Sequence, residues 1–157
     1  MRQTCSCPCG TSRFVIDGRA LARFFCHCTI CQSVYKQPYA DVVALPSGAV
    51  LLPSDTHVKF KHYKSLLPLK RGTCPSCGAP AVAFMSLGPL KALAFVNQKN
   101  FEKPAELPEP SHHIFYHRRV TDIDDHLLKV SGYWPSEITV LKAIFAELFL
   151  HKRGVAR

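Results

Sequence analysis

The sequence has no apolar run approaching the ~18 residues of a membrane span. It has no internal repeat and no low-complexity segment. No basic stretch is interleaved with aromatics and no recognition-helix pattern occurs, which argues against a dedicated nucleic-acid reader. The opening residues, MRQTCSCPCG, lack the apolar region of a signal peptide and place three cysteines where one would begin.

Cysteine, by contrast, is abundant. Eight thiols behind no leader point away from a disulfide framework and toward a reducing compartment, so the expected location is the cytoplasm. The competing reading is a secreted, disulfide-rich chain whose signal has been trimmed. At 157 residues the chain has the length of one domain able to bury a core without crosslinks. Its formal charge of +9 falls to about +6 if seven thiolates hold two zinc ions. A positive surface suits an anionic ligand or nucleic acid, but the basic residues are dispersed and a solvated face explains them as well.

Twelve scattered prolines favour short strands and turns. RFVID (13–17), ALARFF (20–25), YADVVAL (39–45) and the AVLL that follows read as strands. HVKFKHY (57–63) alternates like a half-buried strand, with Val58, Phe60 and His62 on one face. AVAFMSL, LKALAFV and HHIFYH (112–117) continue the pattern. EKPAELPEP is a proline-rich acidic loop, and TDIDDHLL a turn or short helical piece. In SEITVLKAIFAELFLHK the pairs Val140/Leu141, Ile144/Phe145 and Leu148/Phe149 recur at helical spacing, which predicts one amphipathic helix packed on the sheet or on a partner. Lys152 and Arg153 stand where the helix dipole favours cations.

The cysteines fall in three clusters, CSCPCG, CHCTIC and CPSCG. Cys74-Pro-Ser-Cys77-Gly is a knuckle, a turn that aims two sulfurs at one point about 2.3 Å from a zinc ion. It needs a second pair. Either Cys7 and Cys9, tight and followed by glycine, or a pair from the central cluster can supply it. If Cys7 and Cys9 do, one closed four-thiol site staples the N-terminus to the middle of the chain. Cys26, Cys28 and Cys31 then remain as three ligands around an open position, the pattern of a catalytic zinc. Cys5 is left over as a spare thiol, an alternative ligand or a surface cysteine. A redox C-x2-C device explains neither the third thiol nor the other clusters.

The three motifs in this order, with RFVIDG after the first, FF before the second and AP plus an apolar strand after the third, resemble the glutathione-dependent formaldehyde-activating enzyme family, which includes centromere protein V-like proteins. HHIFYHRRVTDIDD resembles the family's late strand and aspartate-rich segment, so the resemblance spans about residues 5 to 134. It implies a mainly β fold, a β-tent of zinc-ribbon-like sheets, over residues 1–135, with residues 136–157 as a C-terminal amphipathic helix on the same domain. It implies two zinc ions: a structural one at Cys7, Cys9, Cys74 and Cys77, and a catalytic one at Cys26, Cys28 and Cys31. It implies carbon–sulfur lyase chemistry, the addition of glutathione to formaldehyde to give S-hydroxymethylglutathione, or the reverse. The partners are then a small thiol such as glutathione and a small aldehyde, with no membrane. A zinc-stabilised nucleic-acid or protein binding module is the rival reading.

Three thiolates on Zn2+ leave a net −1 site, which favours exchange of a fourth sulfur ligand over polarisation of a carbonyl. Lys36, Lys70 and Arg71 stand near the motifs as candidate holders of the tripeptide's carboxylates. Two positions depart from the family pattern. Gln32 follows Cys31 where an arginine is usual, and Lys36 takes the usual glycine position, where a bulky cation is expected to alter or narrow the pocket. His27, flanked by ligands, is expected to point away from the metal. His113 and His117 are expected on one strand face, as surface or buried histidines or near a ligand. Asp122, Asp124 and Asp125 suit capping and turns, and Tyr133 and Trp134 suit packing.

Overall fold

Alternation decides which strand faces are buried. In β2, Arg13–Asp17, Phe14 and Ile16 point inward while Arg13 and Asp17 point out. β1, Arg2–Ser6, pairs antiparallel with it and sets Cys5 opposite Phe14. Cys5 is thus not a surface cysteine: it is fully buried, and burial pushes its thiol up to about 12. β5, Val50–Leu51, completes a three-stranded sheet in the order β1-β2-β5.

The computed structural model describes residues 1–63, 68–87 and 89–154, and for 87, 90, 91 and 150–154 the backbone alone. The second sheet contains β3 (Ala22–Cys26), β4 (Ala40–Pro46), β6 (Lys59–His62), β7 (Leu69–Thr73), β8 (Pro80–Leu87), β9 (Leu90–Asn97), β10 (His112–Ile114) and β11 (Leu128–Lys129). Their order is β11-β10-β3-β4-β9-β8-β7-β6. β10 runs parallel to both of its neighbours, and the other pairs are antiparallel. The chain is therefore mainly β with a C-terminal helix, as expected.

β4 lies between two cores, which is why its VVAL run is continuously apolar instead of alternating. Val43 and Leu45 pack between the sheets with Phe14, Ile16, Val96 and Phe101. Val42 and Ala44 face the other way, with Phe24, Met85 and Ile114. The C-terminal helix α2, Tyr133–Gly154, covers this second core with Val140 and Ile144, and Glu147 pairs with Arg19.

Several local expectations change. β6 is exposed throughout, so the alternation of HVKFKHY marks an edge strand and not a half-buried one; Phe60 is 39% exposed. HHIFYH is a strand only to Ile114, because Phe115 turns left-handed at φ 54° and opens a short 3-10 turn. Of the helical pairs, Val140 and Ile144 are buried, whereas Leu141, Phe145, Leu148 and Phe149 are exposed. Trp134 is 67% exposed and is no packing residue. The side chains of Lys152 and Arg153 lie outside the described residues.

Candidate metal centres and the adjoining cavity

Two thiol clusters form, and backbone geometry builds each. After β1 the chain turns at Cys7-Pro8-Cys9-Gly10, where the Gly10 N–H donates to the Cys7 carbonyl at 2.9 Å. After β7 it repeats the device: Gly78 N–H donates to the Cys74 carbonyl at 2.9 Å. Both glycines are left-handed, at φ 77° and 71°, which a side chain would strain. The Ser12 backbone N–H reaches Cys7 Sγ at 3.2 Å.

The sulfurs of Cys7, Cys9, Cys74 and Cys77 lie within 4.8 Å of one another, with Cys7–Cys9 at 3.4 Å and Cys9–Cys74 at 3.7 Å. A tetrahedral zinc–thiolate centre separates its sulfurs by about 3.8 Å, so the set fits the ion. Burial alone would raise the Cys74 thiol, but hydrogen bonds from Ser12 and from the backbone of Cys77 and Ser76 bring it down to about 5.

The second cluster forms where β3 runs into a short helix, α1 (Thr29–Tyr35). Cys26 ends the strand, Cys28 is the N-cap, and Cys31 lies in the first turn. Cys28 Sγ accepts the Cys31 N–H at 3.3 Å, as a capping oxygen would. These three sulfurs also lie within 4.8 Å of one another. Hydrogen bonds from the Cys26 and Cys31 thiols draw Cys28 down to about 3, while the same bonds and burial push Cys26 well up. Both clusters can therefore hold a metal ion and are compatible with zinc, one closed by four thiols and one with three.

The three-thiol set lines a cavity of about 350 Å³ between the second sheet and α2. Of the basic candidates drawn from the sequence, Arg71 lines it. Lys36 and Lys70 are exposed and do not. Lys36 therefore does not narrow the pocket: it is the C-cap of α1 at φ 51°, and its N–H donates to the Gln32 carbonyl. The left-handed backbone explains why glycine suits that position. Gln32 turns away from the thiols, its amide donating to the carbonyls of His27 and Arg118 at 2.6 and 2.7 Å.

Tyr133 and Glu137, from the first turns of α2, also line the cavity. Burial raises the Glu137 carboxyl, as does the Cys28 charge, against the opposing pull of Arg71. Nothing in the local sequence marks Glu137; only the packing of α2 brings it to the thiols.

His27 is buried, and its Nε2 meets His113 Nδ1 at 2.9 Å. His113 Nε2 in turn reaches Asp125 Oδ2 at 2.8 Å, and Lys129 holds the same carboxylate at 2.8 Å. His113 is thus part of a buried chain. His117 is outside that chain, on the 3-10 turn, where its exposed ring borders the cavity and Nδ1 accepts the Gly132 N–H at 2.9 Å. Asp125 anchors the histidine chain and forms a turn, its Oδ1 accepting the Leu127 N–H at 3.2 Å, while Asp122 pairs with Arg119; neither caps a helix.

A mainly β protein that carries one four-thiol and one three-thiol cluster is the class this geometry defines. Residues 2–118 match the family model of the glutathione-dependent formaldehyde-activating enzyme. The chain belongs to that family. No curated protein matches it. A Rhodobacter sphaeroides protein of known crystal structure is similar at a TM-score of 0.49 and 17% identity, over 68% of this chain and 96% of that one. Among the described residues, no helix is long and apolar enough to cross a membrane.

Proposed function

We propose that the chain is a zinc-dependent enzyme of the carbon–sulfur lyase type that joins a small thiol to a small aldehyde. Glutathione and formaldehyde, giving S-hydroxymethylglutathione, are the pair to which the family points. The observation that carries this reading is that the second set has three thiols where the first has four, and that those three line a cavity. In this reading Cys7, Cys9, Cys74 and Cys77 hold a structural zinc and Cys26, Cys28 and Cys31 a catalytic one, within a domain over residues 1–135 that α2, beginning at Tyr133, covers.

A zinc ion with three protein thiolates supplies, when bound, a position where a substrate's sulfur is kept as thiolate near neutral pH. The rest falls to the chain. In the forward direction a sulfur–carbon bond forms, the carbonyl π bond breaks, and the thiol's proton ends on the former carbonyl oxygen. Glu137, the cavity's carboxyl, is the group that can hold that proton and pass it to the oxygen. Apolar walls exclude water, and their low polarity strengthens each charge contact inside.

The test is the rate of glutathione–formaldehyde exchange, followed by NMR with zinc-loaded protein. Acceleration that Cys28→Ser abolishes is expected. An unchanged rate rules out this substrate pair.

A further inference from the structure

Phe24, Val34, Val42, Met85, Phe95 and Ile114 make most of the cavity wall apolar. Arg71 is out of place among them. Strand alternation in β7 turns Leu69, Arg71 and Thr73 to one face, and Leu69 and Arg71 line the cavity. The Arg71 Nη1 atom is buried and has no hydrogen-bond partner among the described residues. The ion pairs of the described residues do not include it. Its guanidinium carbon sits 5.7 Å from the centre of the Tyr63 ring, a contact that orients the group; Cys28 and Glu137 feel its charge, but Nη1 has no hydrogen bond to either. A desolvated guanidinium donor without an acceptor is costly, and a ligand anion would supply the acceptor.

Glutathione suits this lining poorly. It carries two carboxylates, an ammonium and two peptide groups, and apolar walls would strip water from them without replacing its hydrogen bonds. His117 and Arg118 also touch the cavity but are exposed, so an anion there stays hydrated. The helical wall, including Tyr133, Glu137 and Val140, comes from beyond residue 118, outside the family match.

We propose that the cavity selects a thiol with an apolar body and a single carboxylate, Arg71 holding the carboxylate while the sulfur meets the Cys26–Cys28–Cys31 set. This rests on the thiol–aldehyde reading and names its substrate class. Arg71 is then the specificity-determining residue, and a bidentate carboxylate pair satisfies its buried Nη1.

The test is thiol binding to cobalt-loaded protein, read from the sulfur-to-cobalt charge-transfer band. The probes are α-benzyl-β-mercaptopropionate, its methyl ester and glutathione. The acid should bind at least about tenfold more tightly than the ester or glutathione, the effect of one charge-assisted pair. Arg71→Met should remove the acid's advantage over the ester, and Arg71→Lys should restore part of the preference. Equal binding of acid and ester, tighter binding of glutathione, or an equal loss for acid and ester in Arg71→Met would overturn the proposal. The wild-type comparison decides the substrate class even if a variant fails to fold. If no thiol shifts the spectrum of the cobalt-loaded protein, the thiol–aldehyde reading fails as well, an outcome distinct from thiol binding without acid–ester discrimination.

Discussion

Nε2 of His27 and Nδ1 of His113 lie 2.9 Å apart in the protein interior, although the two residues are 86 positions apart in sequence. The parallel pairing of β10 with β3 makes this contact: His113 stands opposite Phe25 and Ile114 opposite Cys26, and the His27 N–H donates to the Ile114 carbonyl at 3.0 Å. Asp125 fixes the protons. As a carboxylate it accepts from His113 Nε2; in the neutral imidazole this leaves Nδ1 to accept from His27 Nε2. The His27 peptide, which spans the gap between two thiols of the open set, is thereby held from behind. His113→Leu keeps most of the volume but leaves a buried imidazole N–H without a partner. It should lower stability by about 1–3 kcal/mol, read from the urea midpoint.

The two thiol clusters should answer differently to the loss of one sulfur. Cys74 belongs to a set that joins the turn after β1 to the turn after β7, 65 residues away from Cys9. Cys74→Ser should cost more than about 3 kcal/mol and broaden or abolish cooperative unfolding. Cys28 joins neighbours on one short segment, and β3 and β4 hold that segment without it. Cys28→Ser should keep the far-ultraviolet circular dichroism of the wild type and lose one zinc by native mass spectrometry. Equal unfolding of both variants would contradict the division into structural and catalytic sites.

Lys36 holds a left-handed backbone at φ 51° with its side chain in solvent and away from the cavity. Lys36→Gly removes the clash of Cβ with its own carbonyl and gives back some unfolded-chain entropy. The net gain should be about 0.5–1 kcal/mol by urea denaturation. Thiol affinity should not change. A change in affinity would mean that this position does shape the pocket.

Where residues alternate or run apolar, the sequence was enough to find the strand. RFVID is β2 to the residue, and VVAL, AVAFM and ALAFV lie in β4, β8 and β9. β1 was hidden because its Cys5, next to the clustered thiols, was left over as spare, ligand or surface, whereas it is a core residue. α1 was hidden because it has seven residues and a thiol for its N-cap. The thiols that share a short turn were legible from spacing, but spacing left open which pair would join Cys74 and Cys77, 65 residues beyond Cys9 in the case of Cys74. The histidine chain, Glu137 and the buried end of Arg71 were not legible, because each depends on which distant strand or helix lies alongside.

The C-terminal helix shows the same limit. Its apolar pairs gave the period correctly but not which member of each pair faces the core. Ile144 is buried against the second core and Phe145 is 53% exposed. Ile144→Ala should cost about 2–4 kcal/mol by urea denaturation. Phe145→Ala should stay within about 0.5 kcal/mol. A reversed order would place the other helix face on the sheet.

His112 gives the acid limb of the stability curve a residue that can be isolated. It is buried, stacks on Phe24 at 5.6 Å between centroids and 9° between planes, and shares a 2.7 Å hydrogen bond between Nδ1 and Ser111 Oγ. Its Nε2 is buried without a partner among the described residues. Burial, and secondarily the nearby His113, hold its pKa below the ordinary 6.5. The unfolded chain therefore takes up this proton first as pH falls. The contribution is fully present above about pH 6.5 and is lost as pH drops toward the folded-state value. His112→Phe keeps the stacking and removes the titration. Urea midpoints at about pH 7.5 and about pH 5.5 should fall less for the variant than for the wild type. Protonation of the cysteines and of His27 acts on both proteins, so the difference between them belongs to His112. Equal falls would mean that its ring is hydrated in the folded state.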